Sequence, residues 1–440
     1  MNLDIATQAA IDTFRGCAFR FFDGGGYGIN YKKNNYYFLD EIAARLVRET
    51  IEFGFVDTKS IALEYGVEEG LIVEDTINFF GGFSAVPQGN SSQDSHLADE
   101  AFFDYFTEQL IPLTAVIEVT EACNEHCIHC YRPPPKKEYW TAGRFNKICN
   151  ELAKMGSLQI DFTGGEPFLK KDFLDYLKIA DSHGFIISIL TNATLIDEKA
   201  IDVLKLIKLR SLYVSIYSAD SATHDNITKL PGSFQKTIDA IKKLKDAGLP
   251  VFLNAPIMDA NRSSPNGIKV LAENLGLDVK FAYKISESYS KDRATKKLNI
   301  FSKSELSKMI DDPQVRLYAD LIEKKKYGGV STRDRVRSCD TGFRSVTISP
   351  EGDLIPCTAL RMKCGNVGAD EIASLWKNNS NINYWRQEGS LVKDGCKSCS
   401  SYDFCEPCPA GYFSTHGNLS GIDEITCGFG KAFSSCISCG

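Results

Sequence analysis

The chain has 440 residues, a formal net charge of −7 and 43% hydrophobic residues. That length holds two to three domains with a sizeable core, and the acidic balance argues against general nucleic-acid binding. No apolar run is long enough to span a membrane, and the N-terminus has no basic region ahead of an apolar core, so the expectation is a cytoplasmic chain with no membrane or nucleic-acid partner.

In chain order, the first 85 residues read as a small module. Short strands are expected over 18–23, 27–31 and 35–39, with the GGG at 24–26 as the first turn. Asp40 then caps a helix from Glu41, where Ile42, Leu46 and Ile51 fall at near-helical spacing. Two further helices are expected over 57–64 and 69–80, giving a compact three-strand, three-helix module. Residues 86–110 read as a linker, because 86–100 are polar and rich in turn formers.

The pattern changes at about 112. Strands are expected over 113–120, 157–163, 185–191, 209–218, 250–258 and 277–285. Helices are expected between them, over 141–155, 171–184, 197–208, 233–248 and 266–275. Strands alternating with helices imply the α/β class, a parallel sheet and right-handed crossovers. Six such units over 111–330 fit a partial (β/α)6 barrel, with its ligand at the carboxyl ends of the strands. Residues 302–326 read as helical. Periodicity then fades, and residues 331–440 read as a segment that metal must order.

The metal expectation rests on fifteen cysteines. Cys17 and Cys149 stand alone, Cys123, Cys127 and Cys130 form a trio, and ten lie between Cys339 and Cys439. A chain of this size folds without disulfides, and clustered cysteines in a reducing compartment point to metal. The trio has C-x3-C-x2-C spacing just after the first barrel strand. It suits either a zinc ion with His126 or His129 as fourth ligand, or three irons of a [4Fe–4S] cube whose fourth iron stays open. Gly164-Gly165-Glu166-Pro167 follows the second strand; taken alone, it is a tight turn.

Together, the trio and this GGEP resemble the signature of the radical S-adenosylmethionine (SAM) superfamily. The resemblance implies an open iron that chelates the amino and carboxylate groups of SAM, whose cleavage yields a 5′-deoxyadenosyl radical. It places His129 near adenine. Gly164 and Gly165 would let backbone approach the methionine amine, and Glu166 would supply an acceptor to it. Asn192 and Ser215 become ribose or carboxylate contacts, and Lys229, more loosely aligned, a partner for the SAM carboxylate.

The later cysteines resemble the SPASM extension of radical SAM peptide maturases, which binds two auxiliary [4Fe–4S] clusters. By that resemblance Cys396, Cys399, Cys405 and Cys427 ligate an outer cluster, and Cys339, Cys357 and Cys408 an inner one. The last pair, Cys405 and Cys408, is C-x2-C where the family more often has C-x3-C. The inner cluster lacks a fourth cysteine at the usual place, so its last iron is open or is closed by Cys364, Cys436 or Cys439.

Residues 1–85 resemble the winged-helix-like peptide chaperone of pyrroloquinoline quinone biosynthesis. The resemblance implies leader-peptide recognition by strand addition at Asn35–Leu39, with Leu71–Phe80 alongside; a winged-helix domain with no peptide role is the alternative. The expected protein is therefore a maturase of a ribosomally made precursor peptide, with SAM and three [4Fe–4S] clusters as cofactors. Flavodoxin or ferredoxin would supply its electrons. Cysteine-to-carbon thioether formation of the sactipeptide or ranthipeptide type leads. Carbon–carbon cross-linking of the streptide type follows, ahead of epimerisation or formylglycine formation. A non-catalytic, zinc-bound scaffold that presents peptides is the reading from a different class.

Overall fold

The computed structural model describes residues 3–85 apart from 15 and 34, then 102–132, 138–286, 288, 295–298, 339–402, 405 and 408–437. Helix α1 (Leu3–Phe14) precedes strands β1 (Cys17–Phe22), β2 (Gly25–Asn30) and β3 (Asn35–Leu39). The strands form an antiparallel sheet in that order. Helices α2 (Glu41–Phe53), α3 (Thr58–Tyr65) and α4 (Glu69–Ala85) follow. Asp40 caps α2 as expected, accepting from the Ala43 amide at 2.8 Å. α2 buries Ala44, Leu46, Val47 and Thr50. The module therefore starts with a helix that the sequence reading did not include. α1 lays Ala6, Ala10 and Phe14 into the core, where the Phe14 ring meets Phe80 edge-on at 5.9 Å.

Residues 86–101 of the expected linker lie outside the described residues, but 102–108 form a helix, α5. Phe102 and Phe106, one helical turn apart, are buried against Tyr27 of the module sheet. That end of the stretch is thus a packed element.

The barrel follows as β4 (Thr114–Glu118), α6 (Ala142–Lys154), β5 (Gln159–Thr163), α7 (Phe173–Ser182), β6 (Ile186–Thr191), α8 (Glu198–Leu206) and β7 (Leu209–Ser215). It continues with α9 (Ser221–Thr228), α10 (Ser233–Asp246), β8 (Val251–Pro256), α11 (Pro265–Leu275) and β9 (Val279–Ala282). All six expected strands are present and parallel. Along β5, Ile160 and Phe162 are buried in the main core while Gln159, Asp161 and Thr163 on the other face are only half-buried. This alternation leaves a polar lumen inside a sheet covered by helices.

The sheet has eight strands, in the order β11-β10-β4-β5-β6-β7-β8-β9. The two extra strands come from the C-terminal region. β10 (Ser345–Ile348) runs parallel to β4, from Ser345 opposite Thr114 to Ile348 opposite Ile117. β11 (Leu354–Ile355) turns back antiparallel on it. Regular structure thus resumes where its fading had been expected, and it covers the edge of the first barrel strand. The expected helix over 302–326 lies outside the described residues. Among the described residues no helix is long and apolar enough to cross a membrane.

The module docks at the amino-terminal ends of the barrel strands. Arg20 Nε donates to the Ser157 carbonyl at 2.8 Å, and its guanidinium stacks 4.7 Å over Phe185. The Tyr27 hydroxyl donates to the Gly156 carbonyl at 2.8 Å. A polar cavity of about 290 Å³ lies between the two, lined by Tyr36 and Phe103 on one side and Asp161, Ser188 and Arg210 on the other. The cysteine trio is at the opposite end of the barrel.

Candidate active site and cluster sites

The loop after β4 carries the trio. Two backbone bonds pin it to the end of α9: the His126 amide donates to the Thr228 carbonyl at 2.9 Å, and the Ile128 amide to Ile227 at 3.0 Å. Within the loop, the Glu125 amide donates to Cys123 Sγ at 3.4 Å, and Cys127 Sγ donates to Glu125 Oε2 at 3.3 Å. The Tyr217 hydroxyl lies 3.8 Å from Cys127 Sγ. Burial pushes the Cys123 thiol up to about 11 and Cys127 well above the ordinary thiol range. The Glu125 carboxylate pushes Cys127 further up, whereas the Glu125 amide bond pulls Cys123 down. Converging buried thiols of this kind fit a metal that takes their protons away. No three His, Cys, Asp or Glu side chains among the described residues close on one point as a single ion requires. A cube takes one thiolate per iron and asks for a wider set.

The His129 ring lies 5.1 Å from that of Tyr217, and burial lowers its imidazole to about 4. His129 is thus neutral and packed beside the trio, while His126 is exposed.

Gly164–Pro167 lies against the base of the cysteine loop. The Gly165 amide donates to the Thr120 carbonyl at 2.7 Å and the Glu166 amide to Ala122 at 2.9 Å. A Cβ on Gly165 would stand 1.9 Å from the Ala122 oxygen, so only glycine fits there. The sequence expectation has the glycines make room for a ligand; Gly165 also lets the two loops approach each other. Glu166 follows it. Its carboxylate accepts from the Thr191 hydroxyl at 2.7 Å, the Asn192 amide at 2.8 Å and the Phe168 amide at 3.1 Å. Pro167 opens the short 3-10 turn that supplies the last of these donors. Burial raises Glu166 to about 7 against the pull of those three bonds. Three of its roughly four acceptor sites are thus taken, two by the end of β6 and one by the turn that follows Glu166 itself.

That arrangement aims Asn192 at the trio. Its Nδ2 donates to Asn124 Oδ1 at 3.0 Å and stands 3.9 Å from Cys123 Sγ. Ser215, at the end of β7, is half-buried and hydrogen-bonded to Tyr217. Lys229 does not join them. It is exposed, with Nζ on Asn226 Oδ1 at 2.9 Å. Glu125, Thr191 and Tyr217 belong to the site although nothing in their local sequence singled them out.

The C-terminal cysteines gather in two groups. Cys396, Cys399, Cys405 and Cys427 line one cavity. Short turns bring the first three together, with the Cys399 amide on Cys396 and the Cys405 amide on Tyr402, both at 3.0 Å. Burial, then Cys396 and Cys427, push Cys405 up to about 12. Cys339, Cys357 and Cys408 form the second group. Burial and then Cys408 push Cys357 up to about 12, and Cys339 is raised by the same two causes. Cys408 also lines the first cavity, so the groups adjoin. Cys364 is buried elsewhere, with Sγ on the Met362 carbonyl at 3.4 Å and Arg386 as its charged neighbour. The Cys436 side chain and Cys439 lie outside the described residues.

Residues 117–263 match the family model of the radical SAM superfamily. Residues 339–409 match that of the SPASM iron–sulfur cluster-binding domain. The chain is a radical SAM–SPASM protein. The two matched stretches hold the trio, Gly164–Pro167 and most of the later cysteines, while Cys427 lies beyond them. Among curated relatives, the chain is 26% identical over 310 residues to the antilisterial bacteriocin subtilosin biosynthesis protein AlbA of Bacillus subtilis, covering 68% of this chain and 67% of that one. It is 25% identical over 338 residues to PqqA peptide cyclase of Bradyrhizobium diazoefficiens, covering 71% and 85%. Its fold resembles Streptococcus suis SuiB bound to the precursor peptide SuiA, with a TM-score of 0.63, 16% identity, and coverage of 93% of this chain and 98% of that one. It also resembles anSMEcpe with bound AdoMet, with a TM-score of 0.59, 17% identity, and coverage of 74% and 97%. A radical SAM–SPASM protein uses SAM with a [4Fe–4S] cluster and carries further iron–sulfur binding in its extension.

Proposed function

We propose that the chain modifies a ribosomally made precursor peptide, joining a cysteine sulfur to a carbon as a thioether. Relatives named for subtilosin biosynthesis and PqqA cyclisation support a peptide substrate. Cys123, Cys127 and Cys130 would hold the SAM cluster. Cys396, Cys399, Cys405 and Cys427 would hold the outer auxiliary cluster, and Cys339, Cys357 and Cys408 the inner one, three in all. When bound, these groups supply a 5′-deoxyadenosyl radical and an acceptor for the electron that cross-linking releases. The protein's own part is orientation and exclusion of water. Asn192, His129 and Tyr217 shape the wall beside the trio, and Glu166 holds Asn192 in place. Residues 1–85 would bind the leader, adding a strand at the edge of β3 that β2 leaves open. Reduction would come from flavodoxin or ferredoxin.

The observation that carries the thioether reading is the inner group. Among the described residues it offers three thiols, and Cys364, one of the three cysteines that could close it, is engaged elsewhere. An iron left without a protein thiolate is a place for a substrate cysteine, and holding sulfur near the reacting carbon lowers a barrier mainly through orientation. The assignment of the trio is tested by changing Cys123, Cys127 and Cys130 to Ala in the full chain. Reductive cleavage of SAM to 5′-deoxyadenosine should stop while iron bound by the C-terminal cysteines remains. Continued 5′-deoxyadenosine formation would refute it.

A further inference from the structure

The cysteine loop and the loop of the extension that carries Cys357 are joined by buried polar contacts that the proposed chemistry does not use. Glu118 ends β4 with a side chain that is 0% exposed, and Glu121, in the loop that follows, is 1% exposed. Arg132 stands two residues after Cys130. Its Nη1 lies 3.2 Å from Glu118 Oε1 and its Nη2 2.7 Å from Glu121 Oε2. Arg361 stands four residues after Cys357 and reaches the same two carboxylates from the extension, at 3.0 Å and 3.5 Å. Beside them, Tyr131 faces the Thr358 hydroxyl, and these residues directly follow Cys130 and Cys357. Each cluster loop therefore contributes one arginine and one hydroxyl to a shared joint.

Two carboxylates and two guanidiniums leave this joint neutral. Burying four charges is a poor way to gain stability, because desolvation offsets most of the attraction. It does specify geometry, since each guanidinium spans two carboxylates at once, donating to Glu118 and facing Glu121, which a single ammonium could not do from the same place. One pair of carboxylates at the end of β4 sets the position of both loops at once.

We propose that Glu118, Glu121, Arg132 and Arg361 form a positioning clamp that fixes the separation and orientation of the SAM-cluster loop and the inner-cluster loop. The four residues act through the loops they hold. The proposal rests on the cluster assignment made above.

The test uses the full chain, reconstituted anaerobically with iron and sulfide. Iron content is measured, together with the dipolar interaction between the reduced SAM cluster and the reduced inner cluster by pulsed electron paramagnetic resonance. Arg361→Lys keeps the charge and removes the fork. It should load iron like the parent but lose the parent's defined dipolar splitting, and 5′-deoxyadenosine formed per peptide modified should rise several-fold. Thr358→Val removes the hydroxyl beside Tyr131 and should broaden the splitting less. If Arg361→Lys loads iron poorly, the broadening in Thr358→Val carries the test. A parent-like splitting in the iron-loaded variants overturns the clamp and leaves the cluster assignment standing. A parent that loads only the SAM cluster overturns the assignment and the clamp with it.

Discussion

At the scale of single residues, the groups whose chemistry is fixed by element type were legible in the sequence. Thiols at C-x3-C-x2-C can do few things other than bind metal, so the trio stood out. The residues that surround them were not legible, because only folding brings them together. Arg361 meets Glu118 from 243 positions away, and Tyr217 reaches Cys127 from 90. Glu166 was found by its motif, but its three hydrogen bonds to Phe168, Thr191 and Asn192, which add a structural task, were not legible. His224 is a further buried group near the site, 1% exposed between the rings of Tyr217 and Phe234. Its Nδ1 accepts from the Tyr217 amide at 3.4 Å, and burial lowers the imidazole from 6.5 to about 4. Above about 6.5 the ring is neutral in both folded and unfolded chains, and burying it carries no proton penalty. As pH falls from about 6.5 towards about 4 the unfolded chain takes up a proton that the folded chain refuses, so stability drops by an amount on the order of a few kcal/mol. His224→Asn keeps an acceptor at the Nδ1 position and removes the titration. Its melting temperature should fall less steeply than the parent's as pH is lowered through that window; parallel curves would show that His224 is not a source of the acid sensitivity.

At the scale of elements, the six barrel strands were legible because each is an apolar run bounded by turns and separated by an amphipathic helix. The elements missed are short or weakly patterned. Among its described side chains α1 packs through Ala6, Ala10 and Phe14, and small alanines mark a face weakly in sequence. α9, SATHDNIT, has no apolar stripe, and is fixed instead by Asp220 capping the Thr223 amide at 2.8 Å and by Asp225 accepting from the Phe234 amide at 2.8 Å. β10 and β11 have four and two residues and exist because β4 has an edge to pair with. Caps, by contrast, were readable. The bond from the Ala43 amide to Asp40 starts the helix whose buried face supports the module sheet. Asp40→Ala should lower the module's stability by about 1 kcal/mol, with Asp40→Asn close to the parent. Hydrogen exchange along α2 reads this directly, and equal protection in the alanine variant and the parent would show that the cap contributes nothing.

At the scale of the whole molecule, one sheet carries both iron–sulfur regions. β10 of the extension pairs with β4, the strand that leads into the trio, so the two regions share a rigid edge. The N-terminal module sits at the other end of the barrel. Strands of five to seven residues put roughly 20 Å between the two ends, at about 3.3 Å per residue. A precursor bound by its leader on β3 must therefore run the length of the barrel to reach the trio, which suits a peptide and not a small metabolite. The central claim is that the SAM-derived radical takes hydrogen from such a peptide and a sulfur–carbon bond results. It is tested most directly by incubating the anaerobically reconstituted full chain with SAM, a reductant and a panel of cysteine-containing candidate precursor peptides, deuterated at carbon. Mass spectrometry should find deuterium in the 5′-deoxyadenosine and a peptide lighter by one deuterium and one hydrogen, with its cysteine no longer alkylatable. A peptide of unchanged mass, with 5′-deoxyadenosine free of deuterium, would contradict the account.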